Sequence, residues 1–139
     1  MHDDRGSVTL WLLGLCVVLL FVGGLSLDLW RAFSERRALA NAVDAAAVAG
    51  ASGLAVTPFR ASDALHLDPE AAEQRAWATL RTQTDTGALT HAAVSATAEQ
   101  VTVTASGRVE LTLLRTLLPD VAPLEIRVTA TSEPRGPAG

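Results

Sequence analysis

The sequence has no tyrosine, one cysteine, and aromatic residues at only 4%. All 11 of its basic residues are arginine, so lysine is absent as well. Each shortage excludes something. With Cys16 alone, no disulfide can close within the chain, and cysteine usage does not report a compartment. Few aromatics leave a core of Ala, Val and Leu, which buries little area per residue and predicts a marginally stable soluble part. The lack of lysine reads as a coding preference for arginine. At a net charge of -4 the arginines form no basic stripe, so there is no footprint for nucleic acid.

Motifs that carry chemistry are missing too. There is no CxxC, HExxH, phosphate loop or GxSxG. His2, His66 and His91 fall in an N-terminal tail and two predicted loops, without ligand spacing. Asp63, His66 and Asp68 could be drawn as a metal cluster, but loop acids beside a helix cap explain them better. The sequence therefore predicts no enzyme: no catalytic, cofactor-binding or metal-binding residue, no cofactor and no small-molecule substrate.

What is abundant is apolar surface, concentrated in one block. The 139 residues are 49% hydrophobic with a mean hydropathy of +0.28, and leave room for one small domain beside a membrane span. From Gly6 to Leu27 no residue is charged, and Val8–Leu27 is almost wholly apolar. Twenty helical residues rise about 30 Å, the thickness of a bilayer core. The block has no polar face, as a soluble amphipathic helix would need. Trp11 and Trp30 flank it where indole rings favour the headgroup region. Cys16, inside the block, reads as filler rather than a reactive thiol.

A cleavable secretory signal would have a basic start, a shorter apolar core and a small-x-small site. Here the start is His2-Asp3-Asp4-Arg5 and no Ala-x-Ala follows. A buried helix of a soluble protein fails too, because the remaining chain is too small to wrap a helix apolar all round. Orientation is contested. Arg5 precedes the span while Arg31, Arg36 and Arg37 follow it, so counting basic residues places the C-terminal side in the cytoplasm.

Beyond the span the helical pattern continues without proline through an Ala-rich run, with Gly50 and Gly53 as expected stops. One helix from Val8 to about Ala51 follows. The density of alanine over Ala38–Ala51 either permits close approach to a neighbouring helix or reflects composition alone. Asp28, just past the span, either pairs with Arg31 one turn on or is a charge that must find a partner during assembly; the first is the simpler reading.

Residues Leu54–Leu67 read as a loop. Asp68-Pro69-Glu70 then starts a helix with an N-cap acceptor, a proline in the first turn and an acid near the positive end, running to about Gln83. Ala76, Trp77 and Leu80 share a stripe, and Trp77 is the expected anchor onto the sheet. Three strands with period-two alternation follow, over Val94–Glu99, Val101–Leu113 and Leu124–Thr131. Leu113–Leu118 also has a short helical pattern, and Pro119 and Pro123 bound the last connection.

The fold class expected is α+β and pilin-like: a long N-terminal helix, a second helix and an antiparallel sheet of about three strands. The expected divisions are a tail (1–7), a transmembrane helix (8–27), its Ala-rich continuation (28–53), a helix-plus-sheet extracytoplasmic domain (54–133) and a flexible tail (134–139).

Three N-terminal elements occur in order: Arg5-Gly-Ser-Val-Thr-Leu, Gly24-Leu-Ser-Leu-Asp28-Leu after the apolar run, and Ala40-Asn-Ala-Val-Asp-Ala-Ala-Ala-Val-Ala-Gly-Ala51. Together they resemble the N-terminal module of the TadE/TadG-like proteins of the bacterial Tad (Flp-type) pilus apparatus. The resemblance covers about the first third of the chain. It implies a single-pass inner-membrane protein with a cytoplasmic N-terminus and an outer domain, against the arginine count. It also implies partners: membrane lipid and other membrane proteins of the pilus or secretion apparatus. Pilin-like members are cut after a glycine before the apolar run, the place of Gly6–Ser7. Their usual Glu at the fifth mature position is Trp11 here, which fits an uncleaved anchor better.

Gly14, Gly23 and Gly24 are the candidate packing residues within the membrane, with Asp28 as juxtamembrane acid. The reading that follows is a structural component of pilus assembly or related secretion machinery. A membrane-tethered envelope binding module unrelated to pili is the alternative, and neighbouring genes would separate the two. An anchored hydrolase would need a clustered catalytic set that the sequence lacks.

Overall fold

The computed structural model describes residues 4–52, 66–84 and 89–134. A 48-residue helix, α1 (Asp4–Ala51), is followed by α2 (Pro69–Gln83), β1 (Leu89–Ala96), β2 (Val101–Val109), a short α3 (Thr112–Leu117) and β3 (Leu124–Ser132). The strands form one antiparallel sheet in the order β1-β2-β3, so the α+β architecture expected from the sequence is the one observed.

The C-terminal half of α1 forms one wall of the domain core. Ala42, Val43, Ala46, Ala47 and Ala51 are buried against Ala72, Ala76 and Leu80 of α2 and Val101, Val103 and Ala105 of β2. The Ala-rich run thus does permit close approach, but to elements of its own chain. Gly50 shows how close. A Cβ built there would lie 3.0 Å from the Ala72 carbonyl oxygen and 3.0 Å from Val101 Cγ1. Gly50 is therefore a packing residue inside the helix rather than its stop. Gly53, the other expected stop, lies outside the described residues.

At the other end of the contact, Ala32 packs with Val109 and Ile126. Eighteen helical residues from Ala32 to Gly50 rise about 27 Å, matching the roughly 27 Å that eight strand steps cover from Val109 back to Val101. Helix and central strand thus run antiparallel over the same length. α2 returns alongside, its end at Gln83 and Thr84 sharing a shallow cleft with Glu35 and Leu39.

α2 begins and ends as its signals predict. The Asp68 carboxylate accepts the backbone N–H groups of Glu70 and Ala71 at 3.1 and 3.4 Å, satisfying donors the first turn leaves free. Its anchor differs from expectation. Leu80, Ala76 and Ala72 are buried, while Trp77 is half-buried at the rim with the Arg81 guanidinium 5.7 Å from its ring centroid. Alanines bring the α2 backbone so close to α1 that an indole fits only at the margin.

The sheet buries one face and leaves the other open. On the open face Thr102 and Thr104 meet Thr131 and Thr129 at 3.2 and 3.1 Å, cross-strand pairs worth a few tenths of a kcal/mol each. Two strands depart from the expected bounds. β1 starts five residues earlier than Val94, carrying exposed His91 on a strand rather than a loop. A register shift between Leu89 and His91 breaks the alternation that would have revealed it. Its expected last residues instead form a turn, in which Thr97 Oγ1 accepts the N–H groups of Glu99 and Gln100. β2 stops at Val109, not Leu113, because the chain there turns into α3.

Candidate functional site: the membrane helix and its junction with the domain

The distinctive feature of this molecule is α1. This is a helix long and apolar enough to cross a membrane, and its most apolar window is unburied within the chain. Large apolar side chains point outward on every side, from Val8 through Leu10, Leu13, Val17 and Leu20 to Leu27. A surface of this kind is stable only in lipid or against other helices. Trp11 and Trp30, at 76% and 72% exposure, lie near its two ends. Cys16 is exposed on the same surface.

The three glycines proposed for packing have different surroundings. A Cβ on Gly14 or Gly23 would meet nothing within 4 Å, whereas one on Gly24 would lie 3.7 Å from Leu113 Cβ. Gly24 is thus covered by α3 of its own chain. Gly14 and Gly23 are nine residues apart, and at about 100° per residue they lie half a turn out of phase. They face opposite directions and cannot serve one partner helix together.

Asp28 has the most definite environment. It is only 4% exposed, and its carboxylate does not turn to Arg31. Oδ1 accepts the N–H of Leu113 at 3.3 Å and Oδ2 accepts the N–H of Leu114 at 2.7 Å. The side chain of an α1 residue thereby caps the first turn of α3, some 85 positions later. α3 has no cap of its own, since Leu111 at its N-cap makes no side-chain hydrogen bond. The sequence singled out Asp28 but not its partner, because backbone amides carry no sequence signature.

The remaining candidates are not brought together. Gly6 and Ser7 lie within the first turns of α1, His66 is exposed, Asp68 is occupied as the cap of α2, and Asp63 lies outside the described residues. Leu67, expected in a loop, is buried and donates its N–H to the Ala98 carbonyl at 2.9 Å.

Comparison with curated proteins and with solved structures gives no match. A family model does match, over residues 6–53: Tad, described as "Putative Flp pilus-assembly TadE/G-like". The matched segment is nearly coextensive with α1, taking in the apolar span, the acid at its end and the Ala-rich wall of the core. The N-terminal third of this chain is accordingly similar to the Tad module of the TadE/G-like pilus-assembly proteins.

Proposed function

We propose that this protein is a single-pass component of the Tad/Flp pilus-assembly or related secretion apparatus of the bacterial inner membrane, with a structural and non-enzymatic role. The observation that carries the reading is the coincidence of the family match with α1. One continuous helix is both the apolar span and the scaffold on which the domain packs. A rigid connection of this kind holds the domain at a fixed height and orientation above the bilayer, whereas a loop between span and domain would not.

In this reading the N-terminus is cytoplasmic and the domain is outside. The family resemblance supports that orientation against Arg31, Arg36 and Arg37, which lie on the domain side of the span. Protease added to spheroplasts then digests the domain, and protection of the domain would reverse the orientation. The free glycine faces at Gly14 and Gly23 offer two separate sites of close approach for neighbouring helices. Photo-crosslinking residues placed beside each glycine in living cells should capture other membrane proteins of the apparatus. Adducts with lipid alone at both positions would remove the helix-contact part of the proposal.

A further inference from the structure

The connection between β2 and β3 folds back to the membrane end of the domain. Leu113 of α3 lies against Gly24, three residues before the end of the apolar run at Leu27, a depth of about 4.5 Å along the helix axis. Leu113, beside the apolar helix, remains 41% exposed, and Leu118 at the C-cap of α3 is 49% exposed. At helical spacing Leu113 and Leu114 share one side of α3, Thr112, Arg115 and Thr116 occupy the other, and Leu118 follows as the C-cap. Arg115 pairs with Glu110 at 3.8 Å on that polar side.

We propose that α3 is a second membrane contact: an interfacial element that lays its leucine side into the leaflet holding the C-terminal end of the span. The occupant is lipid because the apolar side is continuous with the lipid-facing surface of α1 at Gly24. Asp28 makes the position tenable. Backbone amides and a carboxylate are both costly at the edge of the hydrocarbon, and here they satisfy one another. The domain is thereby held at two points, which restricts its tilt relative to the membrane. This inference rests on α1 being the span.

The test uses the full chain in lipid vesicles, labelled at single cysteines with an environment-sensitive fluorophore and quenched by nitroxide-bearing lipids. Native Cys16 reports the span. Leu118→Cys and Glu99→Cys, each in a Cys16→Ser background, report α3 and the far turn of the domain. All three positions are exposed, so labelling does not disturb the core. The expected result is lipid quenching at positions 16 and 118 and none at 99. Quenching at 16 with a water-exposed probe at 118 overturns the inference alone. A probe at 118 shielded from aqueous iodide yet unquenched by lipid also overturns it, since protein then covers the site. No quenching at 16 removes the span and this inference with it.

Discussion

Asp28 Oδ2 accepts the Leu114 backbone N–H at 2.7 Å, joining the end of the apolar helix to a segment 86 positions later. Together with the bond to Leu113, this ties the first turn of α3, just past the end of β2, to α1. Hydrogen bonds to a charged acceptor contribute about 1.5–3 kcal/mol each. Asp28→Ala should therefore release α3 while leaving the distant core intact. Amide exchange at Leu113 and Leu114 should accelerate at least about tenfold, with protection at Val101 and Val103 unchanged. Asp28→Asn, which keeps an acceptor oxygen, should fall between. Unchanged exchange in Asp28→Ala would show that α3 is held by other means.

Gly50 and Gly14 lie on one helix but differ in what a side chain would meet. Gly50→Val drives methyl groups toward the Ala72 carbonyl and Val101, and overpacking of this kind costs about 1–3 kcal/mol. Gly14→Val meets open space and should leave domain stability within about 0.5 kcal/mol. Thermal unfolding in detergent separates them. Equal stability of the two variants would mean that α1 and α2 do not pack as described.

Within α2, Leu80 rather than Trp77 carries the packing. Leu80→Ala should destabilise the domain by about 2–4 kcal/mol, because its side chain is fully buried beside alanines that cannot fill the void. Trp77→Ala removes a larger but half-exposed ring and should cost less. Denaturant unfolding of both variants reads the order, and the reverse order would restore Trp77 as the anchor.

The elements most legible in the sequence were those whose signals are local. Asp68, Pro69 and Glu70 mark the start of α2 because a cap is local chemistry, and the span is legible because twenty apolar residues leave no other stable environment. What escaped depends on contacts distant in sequence. β1 begins at Leu89 because β2 pairs with it, and the register shift there hides the alternation. β2 continues to Leu113 on pattern alone, but Asp28 and the end of the sheet convert its last residues into α3. Close packing at Gly50 is invisible for the same reason, since glycine before a predicted helix end reads equally well as a stop.

On the family resemblance Trp11 takes the place of the glutamate of cleaved pilin-like proteins, and an uncleaved N-terminus is the expected outcome. Mass measurement of the N-terminal peptide from native membranes should find a chain beginning at Met1 or His2. A chain beginning at Ser7 would instead identify a processed subunit able to leave the membrane for a filament.

Deletion of the gene in its own bacterium, with surface pili counted and the remaining apparatus proteins quantified, tests the pilus-assembly role most directly. Few or no pili are expected at unchanged levels of those proteins, with recovery when the full chain is supplied again. Normal piliation in the deletion strain, with every other component at its usual level, would contradict it.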